Sequence, residues 1–304
     1  MIHHSCSLLV NLHNALGEGP VWDERTGILY WLDGLGCKWF RRARDGSIHQ
    51  FATPSPIGSM ALEEDGLRAI AGLGDGVCIL DLATGALSPY VNPEAGLSGN
   101  RFNDGKADPA GRYLVGTMSE SANDGAAGNS RAGALYSIER DGTCRKLRGD
   151  VGISNGLAWN SEQNTLYYVD SAAGCVFGYD YDVKSGNITG ERICVRIPED
   201  EGIPDGMAID ADDHLWIAQW GGWCVSCYNP ATGERLARID VPVKHVTCCA
   251  FGGERMNELF ITTSTNGVEG VEWLRQPLAG GLFVTEPGVK GTVSFRYREG
   301  GGAE

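Results

Sequence analysis

The sequence predicts an all-β fold, a six-bladed β-propeller with four-stranded blades around a central channel. Three observations predict it. A short phrase recurs six times, its copies 40, 46, 51, 50 and 42 residues apart, which is the spacing of propeller repeats. Each copy leads through a turn into segments rich in aromatic and β-branched residues, and apolar spacing at 3.6 residues is scarce. Glycine supplies 44 of 304 residues, about twice the usual share, and it is dispersed as many turns require.

The phrase is a distinctive residue, then a small one, then an alternating apolar stretch. Its copies begin at Glu18, Gly58, Asp104, Asn155, Asp205 and Thr247. Turn residues follow, such as Asp23 to Gly27, Asp108 to Gly111, Asn160 to Asn164 and Asp210 to Asp213. Second strands are predicted at 29–33, 67–72, 112–118, 166–170, 215–220 and 259–264. Third strands begin at or beside glycine each time, at 36–40, 76–82, 133–138, 174–182, 223–228 and 280–286. A more polar fourth strand closes most units, for example 46–52 and 233–241. The whole chain, 1–304, reads as one propeller domain. Leu8 to Leu12 is expected to supply the outer strand of the last blade, after residues 292–297 or in their place. The glycine-rich insertion from Ser121 to Arg131 is expected to be a mobile loop over one face.

Composition narrows the partners. The net charge of −14 repels phosphate backbones and excludes nucleic acid on electrostatic grounds. No stretch approaches the ~18 apolar residues of a membrane span. The only apolar run near the N-terminus, Leu8-Leu9-Val10, is too short for a signal-peptide core, so a cytoplasmic location is expected. The ten cysteines are expected to be free thiols. Cys224 and Cys227 form a lone CxxC, but residues three apart on a strand face opposite sides and do not readily share an ion.

In a propeller the first strand of each blade lines the channel, so equivalent positions form a ring. The ring here is Glu18, Gly58, Asp104, Asn155, Asp205 and Thr247. Four of the six offer carboxylate or amide oxygens, which packing alone gives no reason to gather. Converging carboxylates raise one another's pKa and destabilise the fold unless a cation joins them. Hard oxygen donors suit calcium, magnesium or manganese, and carboxylates also accept zinc or ferrous iron. Competing motifs fail on context. Gly152 to Gly156 matches the G-x-S-x-G elbow around Ser154, yet a hairpin follows where a helix is needed. Gly72 to Gly76 resembles a phosphate loop but leads into a strand. Asp210-Ala211-Asp212 begins like an EF-hand, but His214 holds the fifth-ligand position and no glutamate stands at the twelfth.

As a set, LGEGPVW (16–22), RFNDGKADPAGRYLVGTM (101–118), SNGLAW (154–159), YYVDS (167–171), PDGMAIDADDHLWIA (204–218), CCAFGG (248–253) and GVKG (288–291) resemble the gluconolactonase, regucalcin and luciferin-regenerating family. The resemblance runs in order over nearly the whole chain. It implies a six-bladed propeller holding one divalent metal through Glu18, Asn155 and Asp205. It implies hydrolysis of a small-molecule sugar-acid lactone bound by Arg101 and Asn103. On that reading the metal polarises the lactone carbonyl or activates a water and Asp205 is the general base, while the ring position of Asp104 fits a group that orients a ligand or a metal-bound water. Some relatives carry a further substrate-contacting glutamate in GTMxEE; this chain reads GTMSES. Either Glu120 takes that role or the contact is lost. Trp220 and Trp223 are candidates for an apolar wall at the mouth, with at least one of them expected in the core. The alternatives are a metal-dependent phosphotriesterase, a non-catalytic divalent-metal-binding propeller, and a lactonase for aromatic or lipid-like rings.

Overall fold

In the computed structural model, which describes residues 2–120 and 131–300, six sheets surround a channel. The chain opens with β1 (Ile2–Ser5) and β2 (Ser7–Val10). Blade one is β3 (Gly17–Asp23), β4 (Ile28–Asp33), β5 (Lys38–Arg42) and β6 (Ile48–Ala52). Blade two is β7 (Ile57–Leu62), β8 (Arg68–Leu73), β9 (Gly76–Asp81) and β10 (Leu87–Val91). Blade three is β11 (Asn100–Ala107), β12 (Tyr113–Ser119), β13 (Gly133–Ile138) and β14 (Cys144–Val151). Blade four is β15 (Ser154–Trp159), β16 (Thr165–Asp170), β17 (Cys175–Asp182) and β18 (Asn187–Arg196). Blade five is β19 (Ile203–Ile209), β20 (Leu215–Trp220), β21 (Cys224–Tyr228) and β22 (Arg235–Asp240). Blade six is β23 (Val246–Gly252), β24 (Glu258–Thr263) and β25 (Leu282–Thr285). Among the described residues the one α-helix is the single turn Glu272–Arg275, and no helix is long and apolar enough to cross a membrane.

Blade six is completed by β2, which pairs antiparallel with β25. Residues 292–297 form no strand there. They run beneath the channel, held by isolated bridges at Asp210–Gly291 and Glu63–Tyr297. Strand β1 adds a fifth, parallel strand to blade five, which the sequence does not announce. Most of the insertion 121–131 lies outside the described residues; its last member, Arg131, donates to Asp170 Oδ2 at 2.8 Å.

The core lies in the six seams between adjacent blades. Tyr30, Leu32 and Trp39 of blade one meet Ile57, Met60 and Leu73 of blade two, and each later seam repeats the pattern. Tyr297 from the tail enters the seam of blades two and three. Each such large apolar side chain contributes about 1.5–3 kcal/mol by leaving water. The turns after several inner strands are built from side chains. Asp23 Oδ1 accepts from Arg25 N, Asp108 Oδ1 from Ala110 N and Arg112 N, and Asp210 Oδ1 from Asp212 N and His214 N. These are Asx-type turns, the reason an acidic residue recurs there.

Inner strands begin at one face, here the upper, and run towards the other. Each shifts register once against its neighbour: between Glu18 and Val21, Ile57 and Ser59, Phe102 and Gly105, Ser154 and Leu157, Pro204 and Met207, and Val246 and Cys248. Every shift is one extra residue, a β-bulge, at or beside the ring position. Bulges re-aim side chains that a regular pleat would point elsewhere.

Candidate functional site

The bulges bring the ring donors together. Asp104, Asn155 and Asp205 are buried, whereas Glu18, Arg101 and Asn103 keep part of their surface open. The small residue after each donor allows the strands to converge. A Cβ on Gly156 would stand 2.8 Å from the carbonyl oxygen of Asp205, and one on Gly206 would run into Cys248 Sγ.

A hydrogen-bonded chain fixes the neutral donors. Arg101 donates to Asn103 Oδ1 at 2.7 Å, and Asn103 Nδ2 donates to Asn155 Oδ1 at 2.9 Å and to the Ser154 carbonyl at 2.8 Å. Asn155 Nδ2 donates to Ser171 Oγ at 2.8 Å, and Ser171 Oγ donates to the Pro204 carbonyl at 2.6 Å. Asn155 therefore cannot turn its amide over without losing both partners. This chain ties blade three to blade four and blade four to the residue before Asp205.

The acidic donors repel one another and are left short of partners. Burial, and then the charges of Asp205 and Asp104, hold the Glu18 carboxyl well above the usual carboxylate range. Burial and Asp104 do the same to Asp205. Asp104 is raised by burial, against the pull of Lys106 and the Gly105 amide. Oδ1 of Asp205 and Oδ2 of Asp104 are buried without any hydrogen-bond partner, a costly arrangement in a protein interior. The Arg101 guanidinium, whose pKa burial lowers, is attracted by Glu18, Glu120 and Asp205. Orphaned oxygens beside mutually raised carboxyls are a donor set that a hard divalent cation would satisfy. Glu18, Asn155 and Asp205 supply oxygens of the right class for it.

Of the residues singled out from the sequence, Glu18, Arg101, Asn103, Asp104, Asn155 and Asp205 thus meet at one end of the channel. Glu120 is exposed, close enough for its charge to act on Arg101; Ser121 lies outside the described residues. Gly58 and Thr247 complete the ring differently: Gly58 packs on the Asn103 backbone, and Thr247 Oγ1 donates to the Gly17 carbonyl. Ser154 is fully buried and accepts from the Tyr168 hydroxyl at 2.7 Å, so it is a packing residue. Neither tryptophan of the suggested wall is in the buried core. Trp220 stacks on His245 at 4.2 Å and 4°, and Trp223 is 36% exposed. Three residues of the site went unassigned in the sequence. Ser171 holds Asn155, Ser59 holds the Asn103 carbonyl at 2.7 Å, and Cys248 is raised by burial and then by the charges of Asp104 and Glu18. Only the recurrence of a small residue beside each donor hinted at the last two.

Below the ring lies a cavity of about 360 Å³. Asp104, Lys106 and Cys248 line it, together with Trp22, Trp159 and Phe251, and the tail residues Thr292 to Arg296 border it.

Comparison with known proteins places the chain among relatives of this architecture. The family described as "SMP-30/Gluconolactonase/LRE-like region" matches residues 16–265. Regucalcin of Oryctolagus cuniculus is 37% identical over 296 residues, covering 96% of this chain and 97% of that protein. The crystal structure of a calcium-binding protein, regucalcin from Agrobacterium tumefaciens, superposes with a TM-score of 0.91 at 28% identity, covering 98% of this chain and 99% of that one. A luciferin-regenerating enzyme superposes with a TM-score of 0.88 at 27% identity, covering 97% and 100%.

Proposed function

Because this chain belongs to the SMP-30/gluconolactonase/LRE-like family, we propose that it is a metal-dependent lactonase acting on a sugar-acid lactone at the upper end of the channel. The observation that carries the reading is the convergence of Glu18, Asn155 and Asp205, with Asp205 Oδ1 left without a hydrogen bond. A divalent cation held by those three residues supplies positive charge for the oxyanion that develops at the lactone carbonyl. Asp205 accepts a proton from the water that attacks the carbonyl carbon. It returns that proton to the ring oxygen as the carbon–oxygen bond of the ring breaks, leaving the hydroxy acid. Arg101, cationic and partly open, hydrogen-bonds substrate oxygens and fixes the ring for attack, and Asn103 does so beside it. Glu120 extends the polar contacts outward from Arg101. Asp104, close enough for its charge to act on Glu18 and Asp205, orients those two ligands.

The test is acid release from glucono-, galactono-, xylono- and arabinonolactone, followed with a pH indicator. Chelated protein is resupplied with calcium, magnesium, manganese, zinc or ferrous iron, with controls for spontaneous opening. Hydrolysis restored by an ion is the expected result. Ion binding without turnover of any lactone would leave a binding protein, a use that the calcium-binding regucalcin of Agrobacterium tumefaciens exemplifies by name. Turnover of an organophosphate alone would point to phosphotriester chemistry.

A further inference from the structure

Two fragments of the sequence look like halves of a metal site and fail alone: Asp210-Ala211-Asp212 with His214, and the CxxC of Cys224 and Cys227. The fold brings one half of each together. The turn after β19 carries Asp210 and His214, and Cys227 lies on β21 opposite Trp216 of β20. Asp210 Oδ2 is 3.6 Å from His214 Nδ1. A carboxylate oxygen of Asp210, a ring nitrogen of His214 and Cys227 Sγ all lie within 4.8 Å of one another. Cys224 turns the other way, to Gln219 Oε1 at 3.3 Å.

Comparison of the blades gives a second, independent reason. Asp210 is one of several buried acidic residues that close an inner strand. Its counterparts each have an arginine: Asp23 has Arg296 at 2.5 Å, Glu63 has Arg68 at 2.8 Å, and Asp108 has Arg112 at 2.8 Å. Asp210, fully buried, has no arginine or lysine partner among the described residues. Its hydrogen bonds come from the amides of Asp212 and His214 and from Trp216 Nε1 at 2.9 Å, none of which carries charge. Where blade three places Arg112, four residues after Asp108, blade five places His214 and backs it with a thiol. A buried carboxylate without a cation is expensive, and the two groups substituted for the cation are both metal ligands.

We propose that Asp210, His214 and Cys227 form a zinc-class metal site on the lower side of blade five, separate from the oxygen ring in the channel. Carboxylate, imidazole and thiolate are the donors that such an ion selects. Ideal ligand atoms stand roughly 3.3–3.8 Å apart around it, and the three donors here, within 4.8 Å of one another, lie near that spacing. Binding releases the Cys227 thiol proton to solvent, and thiolate, carboxylate and divalent ion then sum to zero charge. His214 is partly exposed, so solvent has a route to the site. The site would pin the tail, because Ala211 N donates to the Lys290 carbonyl at 2.8 Å and Gly291 bridges Asp210.

Cobalt(II) titration of the metal-stripped full chain tests this, since only a sulfur ligand gives a thiolate-to-cobalt charge-transfer band and the ring offers oxygen alone. The expected band saturates at one equivalent and is displaced by zinc. It persists in Asp205→Ala, disappears in Cys227→Ser, and needs at least tenfold more cobalt in His214→Ala. Cys248→Ser, which alters the thiol beside the ring, leaves it unchanged. Cobalt binding without the band, or a band that survives Cys227→Ser or vanishes in Cys248→Ser, overturns the proposal. Should Cys227→Ser not fold, His214→Ala decides, because His214 is partly exposed and its truncation leaves the core intact. No lactone enters the experiment, so its outcome is independent of the channel chemistry.

Discussion

The upper and lower halves of the channel are made by the same six strands and have opposite character. Strand β3 carries Glu18 above and Trp22 below, β15 carries Asn155 and Trp159, β19 carries Asp205 and Ile209, and β23 carries Thr247 and Phe251. The members of each pair are four positions apart. Above, donors crowd together with oxygens unpaired and carboxyls raised; below, large apolar side chains wall a cavity. A single bulge lies between or beside them in each strand. The ring is thus a locally unstable feature held by a stable lower half, the usual division between a functional site and its scaffold.

The largest expected effect separates the two halves outright. Asp205→Ala should lower lactone turnover by roughly a thousandfold or more, the scale on which essential electrostatic groups act, while the chelated protein keeps its β-sheet spectrum. A variant that unfolds instead would make the ring part of the scaffold. Below the ring, Trp159→Ala should cost about 3–5 kcal/mol in denaturant unfolding, with kcat of the folded fraction within about threefold of wild type. A collapse of kcat there would merge the two regions. Ser171→Ala, which frees the Asn155 amide, should weaken ion affinity about 10–100-fold, as loss of an orienting partner does. Calorimetric titration with calcium and manganese reads this directly.

The smallest effect is in pH dependence. Glu18 and Asp205 have raised pKa values in the metal-free ring, so the folded chain holds those protons more tightly than the unfolded chain. Their contribution to stability is fully present below the ordinary carboxylate range and is lost as pH rises through the folded values. The thermal midpoint of chelated wild type should therefore fall towards neutral pH more than that of Asp205→Asn. Parallel curves would remove the repulsion from the account.

Much of this was legible in the sequence. The spacing of the six phrases announced the blades, and the first residue of each phrase was the ring position, because strand and turn preferences act locally. The bulges were not legible, since one extra residue leaves no compositional trace. Ser171 follows a second strand; the hairpin of blade four sets it against Asn155, and its other bond crosses to the Pro204 carbonyl of blade five, a pairing of positions that no spacing in the sequence marks. Residues 292–297 alternate like a strand, but the alternation serves to set Phe295 against Trp159 at 6.1 Å and Tyr297 into a seam. Ile2 to Ser5 pairs with blade five through its backbone, and no apolar pattern marks it. The charge missing beside Asp210 could be seen only by comparing blades in space.

Strand β2 sets a schedule for synthesis. Ser7 donates to the Val284 carbonyl, 277 positions further along. At about 5–20 residues per second, a ribosome needs on the order of 14–55 seconds to deliver the second partner after the first. Throughout that interval residues 7–10 wait in the nascent chain, and blades one and six cannot meet. The Thr247–Gly17 bond that joins ring positions across this seam is therefore among the last contacts a newborn chain can make. The ion capture proposed for the complete ring would therefore follow translation, and a messenger truncated within blade six yields five blades and an open circle.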